Sequence, residues 1–378
     1  MTARTTTIRS AVALVAATAT AAAWAQFGGR GGANIELPED RLVPAEETID
    51  PSYRVPRTSW GVPDIAGHWT TDDIRGVGAT RDYEKYGESE SLDREDFLAR
   101  ARSQESGRTG AEETETFLRN EWGTRTFGFN SLVVDPPTGQ YPGTTPASAE
   151  LRRALPETGG TFSMVDFHDF TDFSLYDRCI ARGINNGTGA AIYGNGIIIA
   201  QSPSSVAITY EMIHETRVIP LDDRPHLPTD LKQWGGNGRG HWEGDTLVIE
   251  TMGFNPRVSV GQATPSDQMK TTERIRRVHD EMIEYRITYD DPISLNAPYT
   301  MRVMWTTEPG YYVWEYGCHE GNGAVGNSLS GERQWERNVA AAIAAGTPPP
   351  PKGDGMSVYS GPGQGAEILD VNSGAVIE

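Results

Sequence analysis

An all-β fold is what this sequence predicts: an antiparallel meander of about eight to ten strands that closes into a barrel or a strongly curled sheet, with short surface helices and extended termini. Three observations carry that expectation. From about residue 127 onward, apolar and polar side chains alternate with period two. Tight-turn residues join the alternating runs, and no helical segment separates them, so successive strands pair antiparallel.

The chain is 378 residues long. Residues 1 to 25 read as a signal peptide: Arg4 and Arg9 precede a short apolar run, and "AWA" before Gln26 is a small-x-small cleavage site. Residues 26 to 56 read as an extended arm, and 57 to 338 as a single barrel-like domain. Within it, the charged stretch from about 83 to 120 reads as a helical insertion with Leu92, Phe97 and Leu98 on its buried side. Residues 339 to 378, with "GTPPPPKGDG", read as a Pro/Gly-rich disordered tail.

Within the domain, "PDIAGHWTT" is the first strand. "GIIIAQS", "VAITYEMIH" and "TRVIPL" follow, and "HWEGDTLVIET" is a hairpin turning at Glu243 to Asp245. "RRVHDEMIEY" turns at His279 to Glu281. "MIEYRITYDD" puts Ile283, Tyr285, Ile287 and Tyr289 on one face, and "YTMRVMWTT" does the same with Tyr299, Met301, Val303 and Trp305. "YYVWEYGC" reads as the last strand, with Tyr312, Trp314, Tyr316 and Cys318 sharing a face.

A formal charge of −19 repels phosphate backbones and anionic headgroups, which disfavours nucleic acid as a partner. No run outside the leader approaches the length of a membrane span. The only two cysteines, Cys179 and Cys318, are expected to pair in an oxidising periplasmic or extracellular compartment.

Acid/base chemistry is the function class the candidate residues fit. His214 shares its strand face with Tyr210, so it is expected to point inward as a general acid or base, or else to be a core histidine bonded to a neighbour. His319 and Glu320 follow Cys318 in "EYGCHEGN", at what would be a barrel mouth. Arg224 and His226 in "PLDDRPHLP" are placed to bind a substrate oxygen, or else Arg224 pairs with Asp223 in a surface turn. Tyr285, Trp305 and Trp314 would line the cavity. No HExxH, CxxC, phosphate loop or GxSxG elbow appears. No cofactor is expected, and a metal site would need His214, His226 and His319 to converge in space. The reading is an exported lyase, isomerase or simple hydrolase acting on a small, partly apolar or aromatic molecule. Its alternative is a non-catalytic carrier of a hydrophobic small molecule. Neither reading defines an oligomeric state.

Gly67 and Trp69 resemble the Gly-x-Trp opening of lipocalins, in which the Trp plugs one end of the barrel. "VPDIAGHWT", "SLVVDPPTGQ", "YDRCIARG", "YEMIHETRVIPLDDRPHLP", "GRGHWEGDTLVIETMGFN" and "EYGCHEGN" together resemble a widespread family of exported, uncharacterised bacterial proteins. The resemblance spans roughly residues 57 to 336. It implies export and one shared domain, and it assigns no activity or catalytic residue.

Overall fold

The structure is a computed structural model. It describes residues 37, 39 to 113, 121 to 155, 167 to 228, 230 to 350, 368 to 369 and 376 to 377. The expected signal peptide and most of the expected tail lie outside those residues.

Short strands β1 (Leu42–Val43) and β3 (Thr126–Phe127) pair in parallel, tying the arm to the body. All the other paired strands of the body belong to one antiparallel sheet. In chain order they are β2 (Gly67–Thr70), β4 (Val133–Asp135), β5 (Gly196–Gln201), β6 (Ser205–Tyr210), β7 (Thr216–Pro220), β8 (Asn237–Glu243), β9 (Thr246–Met252), β10 (Lys270–His279), β11 (Met282–Asp290) and β12 (Tyr299–Thr306). Their spatial order is β7-β6-β5-β2-β12-β11-β10-β9-β8, with β4 also bonded to β12.

Read from β2, that order is the sequence order 2-5-6-7, then 8-9-10-11-12 back to β2. One ladder is missing among the described residues, between β7 and β8. These two edges nevertheless approach each other. A Cβ placed on Gly238 or Gly240 of β8 would meet Ile219 of β7 at 2.7 or 2.9 Å. Glycine lets the edges close side chain against backbone, without a ladder. The sheet is therefore a strongly curled one with an open seam.

The alternation read from β11 and β12 holds: Ile283, Tyr285, Ile287, Tyr289, Tyr299, Val303 and Trp305 are all fully buried. The hairpin turn at Gly244–Asp245 also holds, with Gly244 at φ +59°, a conformation that favours glycine. Trp69 is buried, donates from Nε1 to the Ile65 carbonyl at 3.2 Å, and lies under the Arg277 guanidinium. The helical insertion comprises α1 (Tyr83–Tyr86) and α2 (Arg94–Glu113), and α3 spans Pro146–Ala154.

Two stretches depart from expectation. "YYVWEYGC" forms no strand, because β11 occupies one edge of β12 and β2 and β4 share the other, leaving no free edge beside it. It runs instead as a strap, which the disulfide Cys179–Cys318 anchors (Cα–Cα 5.9 Å). Beyond it, helix α4 spans Ala324–Ala344, across the expected boundary at 338.

Candidate functional site

The strand carrying Tyr210 ends there. Ile213 and His214 adopt positive φ values of 65° and 44° in a 3-10 turn, so the period-two rule lapses and His214 is exposed. The expectation that it faces inward beside Tyr210 is thereby corrected. Arg224 is exposed and pairs with Asp222, while His226 bonds through Nδ1 to the Asn237 carbonyl at 2.8 Å. His319 and Glu320 are exposed in the bend after the disulfide, and Trp314 is 68% exposed on the strap because that segment lacks strand pairing. The three histidines proposed for a metal do not form a ligand group. Among the described residues, that arrangement falls to His168, Glu332 and Glu336, where Arg333 already bonds Glu336 at 2.6 Å.

Tyr210, Tyr285 and Trp305 are brought together, but as core. Trp305 stacks on Tyr285 with centroids 4.3 Å apart and donates to the Gly187 carbonyl at 2.8 Å. A Cβ on Gly187 would meet Trp305 at 2.9 Å and Tyr210 at 3.1 Å, so the 3-10 helix Gly183–Gly187 fills the space these rings would offer. Behind them lies a buried ion pair that sequence reading missed. Arg217 of β7 forks onto Glu273 of β10 at 2.9 and 2.6 Å and reaches Thr251 of β9 at 3.2 Å, while Tyr285 donates to Glu273 at 3.0 Å. Burial alone would lower the Arg217 pKa. Glu273 more than reverses this, and the guanidinium stays charged. Burial pushes the Tyr210 hydroxyl up to about 12, so it is a neutral group and not a base.

A cavity of about 340 Å³ opens beside the C-terminal end of β11. Tyr141, Tyr289, Leu132 and Met301 give it aromatic and apolar walls, and Arg75, Asn185, Thr188 and Gln262 supply polar groups. Asn185 is fixed from both ends: its Oδ1 accepts from Gly261 N–H at 2.9 Å and its Nδ2 donates to the Ser259 carbonyl at 3.1 Å. Tyr289 stacks on Tyr299 at 4.8 Å, and Tyr141 meets Tyr299 edge-on at 5.2 Å. Burial raises the pKa of Tyr141 and of Tyr289, so both hydroxyls remain neutral. No carboxylate or imidazole is among the described lining residues.

Arg75 joins this cavity to a set of buried acids under the strap. Asp72 accepts from Asn195 Nδ2 at 2.7 Å, Glu121 from Asn195 N–H at 3.2 Å, and Glu211 from Gly196 N–H at 3.2 Å. Tyr311 of the strap donates to Glu211. Burial raises the pKa of Asp72, and burial with the charge of Asp72 raises that of Glu121. Nearby, Arg125 bonds Asp73 at 3.1 Å and approaches Glu308 at 3.5 Å. Burial and the adjacent Asp73 push Glu308 up to about 8. These acids come from four separate segments, so the sequence signals them only as ordinary charged residues. The one clue was Glu211, directly after an alternating strand.

No known family profile and no curated protein matches the chain. Among solved structures, the wild-type fluorescent protein UnaG and a single-site mutant of it resemble part of it at 14% identity and a TM-score of 0.20. The likeness covers 35% of this chain and 86% and 85% of theirs. None of the helices among the described residues is long and apolar enough to cross a membrane.

Proposed function

We propose that this protein is an exported binding protein that holds a small, partly aromatic organic molecule in the cavity beside β11. The carrying observation is the lining itself: tyrosine faces and aliphatic side chains with a few fixed amide and hydroxyl groups, and no general base among the described lining residues. The reading treats the curl as a lipocalin-like barrel, which the cyclic strand order supports. It places the protein in the periplasm or outside the cell, with a mature start near Gln26, and the disulfide supports an oxidising compartment.

Gly189 lines the cavity at an exposed position, and a Cβ there meets nothing within 4 Å, so Gly189→Leu adds apolar bulk at the lining without a clash. A ligand-observed NMR screen of small aromatic alcohols, amides and acids should find binders for the wild type, with affinity reduced at least tenfold in Gly189→Leu. Equal binding by the two proteins overturns the assignment.

A second reading, the cofactor-free lyase, isomerase or hydrolase, is favoured by one observation. Asp72 and Glu121, both with raised pKa values, act electrostatically on Arg75, which lines the same cavity. It requires a bound compound to be consumed, and Glu121→Gln to stop consumption while binding persists. A compound recovered intact after prolonged incubation ends that reading.

A further inference from the structure

The outer face of β10 to β12 carries like charges side by side. Arg274 of β10 lies opposite Arg286 of β11, which lies opposite Arg302 of β12. Arg276 stands two residues beyond Arg274 on the same face. Like charges directly opposite across antiparallel strands destabilise a sheet, so a row of three guanidinium groups calls for compensation. In a chain with a formal charge of −19, cations gathered in one place also stand against the overall composition.

The compensation from the protein is incomplete. Arg274 bonds Glu243 at 2.9 Å, Arg286 bonds Glu284 at 2.9 Å, and Arg302 bonds Glu90 at 2.8 Å. Arg276 is exposed and makes no side-chain hydrogen bond or ion pair among the described residues. Arg302, its side chain only 9% exposed, lies over the Phe129 ring and leaves Nε and Nη2 buried without partners.

Arg274, Arg276 and Arg286, without Arg302, line a cleft of about 440 Å³ together with Glu284, Ile49 of the N-terminal arm and Thr246. The guanidinium fork matches the oxygens of a tetrahedral oxyanion bidentately, which a lysine ammonium does not. A single apolar side chain at the rim suits a small organic group attached to that oxyanion. The concave shape and modest volume suit a small molecule.

We infer that this cleft is a binding site for a phosphate or sulfate group, free or as a small monoester, held by Arg274, Arg276 and Arg286. It lies on the opposite face of the sheet from the ring-filled interior, and it is independent of the cavity proposed above.

The test is calorimetric titration of the full chain at constant ionic strength with inorganic phosphate, inorganic sulfate and phenyl phosphate, against chloride. Saturable binding of the inorganic anions identifies the free ion as sufficient. Binding of phenyl phosphate alone identifies the ester. In either case Arg276→Gln, an exposed and unpartnered position, weakens binding at least fivefold. Arg239→Gln, which removes an arginine bonded to the Pro225 carbonyl, leaves binding unchanged. No saturable binding of any of the three, or wild-type affinity in Arg276→Gln, overturns the site. Gly189→Leu should bind these anions as the wild type does, which separates this outcome from that of the cavity.

Discussion

Arg217 and Glu273 inside the curl, and Asp72, Asp73, Glu121, Glu211 and Glu308 beneath the strap, are all at least partly removed from water, but they are compensated differently. The interior pair is matched one to one, with both guanidinium nitrogens on both carboxylate oxygens and Thr251 and Tyr285 completing the shell. Under the strap, acids outnumber their cations, and backbone amides, Asn195 and Tyr311 supply the remaining donors. Against the cost of burial Glu273 holds the Arg217 guanidinium charged, whereas under the strap burial and neighbouring acids raise the pKa of Asp72, Glu121 and Glu308. A buried charge thus acts as a clasp where its partner is dedicated, and as a titrating group where it is not.

The largest effect is expected from removing half of the clasp. Glu273→Gln strands the Arg217 charge inside the curl and should lower stability by about 3–5 kcal/mol, whereas replacing both with apolar residues (Arg217→Met with Glu273→Leu) should be roughly neutral. Urea denaturation of the single and double variants reads this directly. If the single change costs no more than the double, the pair is not a dedicated clasp.

A smaller effect is expected under the strap, and it depends on pH. Glu308 titrates near 8 in the folded chain against an ordinary 4.5, so across that window the folded state binds a proton that the unfolded chain has released. Stability contributed by this group is therefore fully present below about pH 4.5 and is lost as pH rises towards 8. Glu308→Gln should flatten that slope in a series of urea melts. An unchanged slope would place the proton elsewhere. The smallest effect belongs to surface residues read as catalytic or substrate-binding: His214→Gln and Arg224→Gln should leave the urea midpoint unchanged, since both side chains already face solvent.

What was legible in the sequence follows from the range of each interaction. Alternation is local, so the buried faces of β11 and β12 and the turn at Gly244–Asp245 could be read directly. The cysteine pair was legible because no other thiols competed. His214 was misplaced because two consecutive positive φ values break a strand without any glycine or proline to announce it. The strap was misread because whether an aromatic segment pairs depends on which sheet edges are already taken. Helix α4 was missed beside the proline-rich tail, although the alanine-rich stretch at residues 340 to 345 favours a helix. The acids and the interior ion pair come together from segments distant in the chain, and the arginine row depends on the register of successive hairpins, neither of which composition encodes.

The position of β2 bears on how the chain reaches this state. β5 to β7 and β8 to β12 are runs of sequence neighbours, whose connections are short except for that between β9 and β10. β2 pairs with β5 across an interval holding α1, α2 and α3, and on its other side it meets β12, the last strand of the second meander. Loop-closure entropy makes such distant pairings slow relative to hairpins. The two meanders are therefore the early-forming units, and insertion of one four-residue strand between them is the step that commits the chain to its native topology.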